Sequence, residues 1–363
     1  MQTIDPSSTT RSDGTVPHKK FSPYEDFTST KPDTLNGRYL RRFWHPVERA
    51  DRLAPGHAKP LRVLSEDFTL YRGASGTPHV VARRCPHRGT QLSVGFVEDD
   101  CIRCLYHGWK FAEPPPFPHL PPFESDGLLE NADHFFPCNF FQGYENDWDE
   151  YHTAFTHRTG GVHLAPVLAD ETFQETEFGV VKHARKEDGS SRVAAFIFPG
   201  TVRLTIPSPS YYRYRNLGPL NRETYLTHCP IDDENHRVFI AQSVVVPEAE
   251  RAAYLEHFAY VDRVLTEQPA HLLAQEVLAG RKTLAEVRAN EEYPAIVRIE
   301  DQCAQPGQGA IADRTAERLG KSDKGIITLR KIWSRELQAL AETGRPKDWT
   351  VMERMPAARA ASA

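Results

Sequence analysis

Nowhere in the 363 residues does an apolar stretch approach the roughly 20 residues a helix needs to span a bilayer, so a soluble, globular chain is expected and no membrane partner. The first twenty residues, MQTIDPSSTTRSDGTVPHKK, lack an apolar core behind a basic end; they read as a polar tail, with folding beginning near Phe21. Basic residues are not in excess: 44 Lys and Arg stand against 49 Asp and Glu, a net charge of −5 that repels a phosphate backbone. Nucleic acid is therefore not an expected partner. Cysteine is scarce, six residues in all, too few for a disulfide scaffold, which turns attention to metal chemistry in a reducing cytoplasm. No internal repeat is visible. At a prior of roughly 150 residues per domain, the length points to about two domains.

Short alternating segments between Tyr39 and Phe111 (LRVLSEDFTLYRG, PHVVARRCPH, GFVEDDCIRCLYHGWKF) predict a small β domain. The run AEPPPFPHLPPF follows, too proline-dense for helix or sheet interior, and marks the boundary. This gives a tail at 1–20, a first domain at 21–113, a second at 114–345 and a tail at 346–363. Within the second domain, residues 145–157 read as helix. Residues 170–246 read as a mostly antiparallel sheet, with ETYLTHCPID and HRVFIAQSVVV joined through Asp232 to Asn235. A helix is expected after Pro247, and another carries Ile326, Leu329, Trp333, Leu337 and Leu340 as a core stripe with Ser322 as its N-cap.

Two short clusters stand out. Cys85-Pro86-His87 and Cys104-Leu105-Tyr106-His107 are separated by 16 residues, and each supplies one thiolate and one imidazole. Such a set serves either a structural Cys2His2 zinc or a Rieske [2Fe–2S] centre, in which two Cys hold one iron and two His the other. Zinc fingers usually group Cys with Cys and His with His, so one of each per loop favours the cluster. Cys101 breaks that pairing and reads as a bystander, while Cys138, Cys229 and Cys303 are scattered and read as packed.

The second set is Asn146, Asp149, His152 and His157 in YENDWDEYHTAFTH. Asp149 and His152 would share a helix face. His152 and His157 are five apart, about 140° around a regular helix, and reach one metal only where the helix widens or breaks. Two imidazoles with a carboxylate from elsewhere would make the facial triad of a mononuclear Fe(II) site.

CPHRG and CLYHGWKF resemble the cluster signature of the Rieske non-haem iron aromatic ring-hydroxylating oxygenases, and NxxDxxHxxxxH matches the iron motif of the same family. The downstream RIEDQCAQPGQGAIADRTAERLGKSDKGI is similar to the phthalate- and phenoxybenzoate-type branch. The resemblance implies an α+β chain: a Rieske β domain, then a helix-grip domain whose curved antiparallel sheet wraps a long helix. It assigns Cys85, His87, Cys104 and His107 to the [2Fe–2S] cluster, and His152, His157 and Asp301 to Fe(II), with Glu300 and Asp313 as competitors for the third place. Asp313 beside Arg314 reads more simply as a helix-end ion pair. Asp149 and Asn146 would bridge by hydrogen bonds toward a cluster histidine of a neighbouring subunit. The family further implies a cytoplasmic homotrimer, O2 and an aromatic substrate, and electrons from NAD(P)H through a separate reductase, with or without a ferredoxin.

One departure stands against this pattern. His107 and His152 are only 45 residues apart, so roughly 40 to 50 residues, about three strands' worth, are absent after Phe111, and the first domain is shortened. Arg203, Arg213 and Arg215 offer guanidinium groups for a substrate carboxylate or are plain surface residues. The expected function is a terminal oxygenase that hydroxylates or O-demethylates an aromatic, carboxylated or ether-substituted compound. The alternatives are a non-enzymatic electron carrier and a homologue impaired by the missing segment.

Overall fold

The alternation between residues 58 and 111 becomes two small antiparallel sheets in the computed structural model, which describes residues 22–111, 127–157, 170–185, 191–207, 221–290 and 292–349. After a short helix α1 (Leu35–Leu40), strands β1 (Ala58–Val63), β2 (Glu66–Arg72) and β3 (Pro78–Ala82) pair in sequence order. So do β4 (Phe96–Glu98), β5 (Cys101–Arg103) and β6 (Lys110–Phe111). Their shared core is small: Tyr71, Cys85, Leu92, Ile102 and Cys104. The proline run and its boundary lie outside the described residues, as does the tail before Ser22.

The larger region opens with β7 (Leu128–Phe136), α2 (Phe140–Trp148) and α3 (Tyr151–Thr156). Six strands follow: β8 (Asp170–Glu175), β9 (Gly179–Arg185), β10 (Ser191–Ile197), β11 (Thr201–Pro207), β12 (Asn221–Pro230) and β13 (His236–Val244). With β7 they form one antiparallel sheet in the order β7-β13-β12-β11-β10-β9-β8. Strict alternation of buried and half-buried residues along β13 shows one face turned to the core. Helices α4 (Arg251–Glu267), α5 (Ala270–Leu278), α6 (Leu284–Ala289) and α7 (Ile296–Ala304) lead to the long α8 (Lys324–Thr343). The inner face of the sheet, α2 and α8 share one apolar core, including Phe140, Tyr144, Phe196, Val238 and Trp333. A second apolar cluster joins α4 to α7 and fixes α7 in place. No described helix is long and apolar enough to cross a membrane.

Several boundaries differ from the sequence reading. Residues 22–40 pack with the large region: Phe27, Tyr39 and Leu40 belong to its core, and Trp333 Nε1 donates to Asn36 Oδ1 at 2.8 Å. Nor is 346–349 a tail, since Trp349 is buried, stacks on Phe198 at 4.2 Å and donates to the Tyr39 hydroxyl. Ser322 does not cap α8; it lies inside a 3-10 turn, and Asp323 holds the N-cap position. The helix expected over 145–157 is two helices, because Asp149 is extended at ψ 125°. Strand β7 went unpredicted because its inward positions carry Glu130 and His134 among the apolar residues, which blurs the period-two signal.

Candidate functional site

The two cysteine loops are built alike. Each runs from a buried cysteine through an exposed histidine to a glycine with positive φ, +77° at Gly89 and +71° at Gly108. The Gly89 amide donates to the Cys85 carbonyl at 2.8 Å, and the Gly108 amide to the Cys104 carbonyl at 3.0 Å. A side chain in that left-handed conformation would strain either turn. Cys85 N bonds Thr90 O and Cys104 N bonds Trp109 O, which closes both loops. The His87 and His107 rings meet edge to face at 4.6 Å, with His87 stacked on Trp109.

Burial works against ionisation of the Cys104 thiol. The backbone N–H groups of Tyr106 and His107, with Cys85 and Thr90, outweigh it and hold its pKa below the ordinary value. Desolvation and the neighbouring His87 and Arg88 keep His107 neutral-leaning. Two cysteines and two imidazoles on facing loops are the donor chemistry of a Rieske cluster, and the residues present fit it.

The second set comes from three elements. Helix α3 ends at Thr156, and His157, its C-cap, leaves helical geometry, so the five-residue spacing closes without a distorted helix. Helix α7 brings Asp301 from far along the chain. One ligand atom from each of His152, His157 and Asp301 lies within 4.8 Å of the others. Asp301 Oδ1 is 3.3 Å from His157 Nε2 and 3.9 Å from His152 Nε2. The outer ring nitrogens are committed: His152 Nδ1 pairs with the Asp149 carbonyl at 2.7 Å and His157 Nδ1 with Glu300 Oε2 at 2.9 Å. Both Nε2 atoms are thereby turned to one point, the tautomer a metal requires. Burial opposes protonation of His157, but Asp301 and Glu300 push its pKa up to about 10. A cation at that point would take the proton's place.

Asn146 Nδ2 donates to Asp301 Oδ1 at 3.3 Å and stands 3.5 Å from His152 Nε2. Asp149 does not share a helix face with His152. Its carboxylate accepts from the Tyr151 and His152 amides and so caps α3, and its contact with the His152 ring is through the main-chain oxygen. Neighbouring Glu150 anchors the same break, its carboxylate between Lys182 and Arg192.

Glu300 is not brought to the metal point: one oxygen faces His157 Nδ1, the other Arg288. Asp313 accepts from Thr315, and Arg314 pairs with Glu145. Arg203 is buried and paired with Glu223, so it is no surface residue, while Arg213 and Arg215 lie outside the described residues. Cys138 and Cys229 are buried as expected. Sequence reasoning missed Arg288 and weighed Glu300 only as a ligand. The signal was there in the Glu-Asp dipeptide, since adjacent helical residues point about 100° apart and cannot both face one ion.

A cleft of about 410 Å³ opens between β7, β13, α4, α5 and α7, with Arg52, Arg237, Arg298 and Phe135 among its walls. Helix α7 borders both regions, turning Arg298 and Gln302 to the cleft and Glu300 and Asp301 to the histidines.

Residues 43–124 match the Rieske [2Fe-2S] domain family. The chain is 26% identical to the phenoxybenzoate dioxygenase subunit alpha of Ectopseudomonas oleovorans, over 91% of this chain and 88% of that protein. It is 24% identical to the 5,5'-dehydrodivanillate O-demethylase oxygenase subunit of a Sphingobium strain, over 87% of this chain and 80% of that one. These alignments run over 396 and 375 residues, more than this chain has in the matched spans, so the relatives carry segments that it lacks. Among solved structures, the oxygenase–ferredoxin complex of carbazole 1,9a-dioxygenase matches with a TM-score of 0.54 at 17% identity, over 87% of this chain and 92% of that one. That likeness speaks for the fold. The chain carries a Rieske [2Fe–2S] domain and is similar, over most of its length, to proteins named as oxygenase subunits of phenoxybenzoate, phthalate and dehydrodivanillate enzymes.

Proposed function

We propose that this oxygenase subunit hydroxylates or O-demethylates an aromatic, carboxylated or ether-substituted compound. It takes its electrons from NAD(P)H through a separate reductase, directly or by way of a ferredoxin, and works as a cytoplasmic homotrimer. The observation that carries the reading is the presence of two separate donor sets in one chain: the paired Cys-His loops and the His152, His157 and Asp301 triad. An electron carrier needs only the first. The names of the relatives, one an O-demethylase subunit and one a dioxygenase subunit, support both reaction types.

In this reading Cys85, His87, Cys104 and His107 hold the cluster, and His152, His157 and Asp301 hold Fe(II). When bound, the cluster supplies single electrons and the iron supplies the centre at which O2 reacts. The chain's own residues prepare that centre. The Asp149 carbonyl and Glu300 hold the imidazoles in the Nε2-free tautomer, and Asn146 holds the Asp301 carboxylate by one oxygen. In the same reading Asp149, fixed at the break before α3, and Asn146 would bridge toward a neighbouring subunit's cluster histidine.

Iron and acid-labile sulfide measured per chain on anaerobically purified protein test the proposal. Three irons and two sulfides are expected; two irons would leave only the carrier, and none an impaired homologue.

A further inference from the structure

We propose that Glu300 and Arg288 form an outer pair that positions His157 for the metal, and that this pair makes the two histidines unequal, His157 the tight ligand and His152 the weak one. The inference rests on the metal reading above.

Glu300 has no exposed side-chain surface, and both its oxygens are engaged. Oε2 faces His157 Nδ1 at 2.9 Å, and Oε1 accepts from Arg288, 2.7 Å from Nη2. A carboxylate buried so deeply is costly unless it is paired and hydrogen-bonded, so the guanidinium is part of the arrangement and not incidental to it. Arg288 stands near the end of α6, a short helix held at its start by the reciprocal bonds of Thr283 and Glu286. Helix α7 thus supplies the ligand oxygen from Asp301 and, from the adjacent residue, the group that grips a ligand histidine from behind.

His152 is held differently. Its Nδ1 pairs with a neutral main-chain carbonyl, that of Asp149. An imidazole backed by a carboxylate is a more basic donor than one backed by a carbonyl, so the charged partner strengthens the histidine remote from the Asp149 turn. The histidine next to that turn is left the looser of the two.

Cobalt(II) titration of the full-length protein tests this, with affinity read by chelator competition and geometry by the d–d bands. Glu300→Gln keeps an acceptor without the charge; it should melt like the parent yet bind cobalt about 10- to 100-fold more weakly, with shifted d–d bands. Arg288→Gln should move affinity the same way, and being at the half-exposed end of the pair it carries the test if Glu300→Gln does not fold. His152→Ala should keep weak residual binding that His157→Ala loses. Cobalt affinity in both Glu300→Gln and Arg288→Gln within about twofold of the parent would overturn the proposal, as would equal losses in the two histidine variants. A parent protein that binds no cobalt at all would overturn the metal reading beneath it, a result distinct from the others.

Discussion

The paired Cys-His loops and the triad of His152, His157 and Asp301 are assembled by opposite means. Each loop makes its own geometry within five residues, by a glycine turn and a bond back to the cysteine carbonyl. Its cysteines are buried and its histidines face outward. The triad depends on tertiary structure: His152 and His157 come from a helix placed by a break in the chain, and Asp301 from α7, held by a separate apolar cluster. His157 is only 4% exposed, and His152 and Asp301 are half-buried. Local turns therefore give a site that is complete but open, and distant elements give one that is enclosed but contingent on the whole fold.

The largest expected effects test that independence. Asp301→Ala should abolish mononuclear iron and all product formation while the visible spectrum of the cluster is retained, taking the count from three irons per chain to two. Cys104→Ser should do the reverse and leave one. Iron and sulfide analysis of both variants checks this, and loss of both centres from either substitution would mean that the two regions fold as one unit.

A smaller effect concerns the bridge between them. Asp149→Asn keeps a capping side chain, for Asn and Asp cap helices about equally well, and keeps the main-chain contact with His152. Both metals should stay, while turnover with electrons delivered through the cluster falls roughly 10- to 100-fold. Asp149→Ala should in addition cost about 1 kcal/mol through the lost cap of α3, read as a lower denaturant midpoint. An unchanged reductase-driven rate in Asp149→Asn would reduce the residue to a helix cap.

The openness of the cluster loops has its own consequence. Among the described residues the apolar cluster beneath the two small sheets holds five buried residues against twenty-four in the main core, and β6 is two residues long. A thin core with exposed strand edges opens first. On heating, or on standing in air, cluster absorbance should disappear before far-UV ellipticity changes. Coincident transitions would show that the short segment after Phe111 costs the domain nothing.

What was legible in the sequence follows the same division. The Cys-His loops could be read directly, because their chemistry and their turn residues sit in consecutive positions. The sheet over 170–246, the Asp232 to Asn235 turn and the α8 stripe were readable from periodicity, as their burial patterns bear out. Glu300's partnership with Arg288 was not, since an ion pair across twelve residues leaves no periodic trace. Nor was the packing of Trp349 and Tyr39, which joins the two ends of the described chain over the core. Asp149's cap was hidden by the assumption of one continuous helix.

The smallest effect separates two buried carboxylates beside the α2–α3 break. Glu150 is buried, which alone would raise its pKa, but Arg192 and Lys182 hold it down to about 2. Glu171, on β8, has an oxygen with no hydrogen-bond partner; burial raises its pKa to about 7, with Glu150 and Asp149 adding to the effect against Lys182. The signs are opposite. For Glu150 the folded pKa lies below the unfolded one, so its contribution is present above the ordinary carboxylate value and is lost as pH falls toward 2. For Glu171 the folded pKa lies above, so the unfolded chain gives up its proton first, and stability declines as pH rises from the ordinary value to about 7 and then levels. Glu171→Gln mimics the protonated form at every pH. Its melting temperature should match the parent's below the ordinary carboxylate range and exceed it by a growing margin up to neutrality. Parallel melting curves for parent and variant across that range would show that Glu171 finds a proton or a partner in solution.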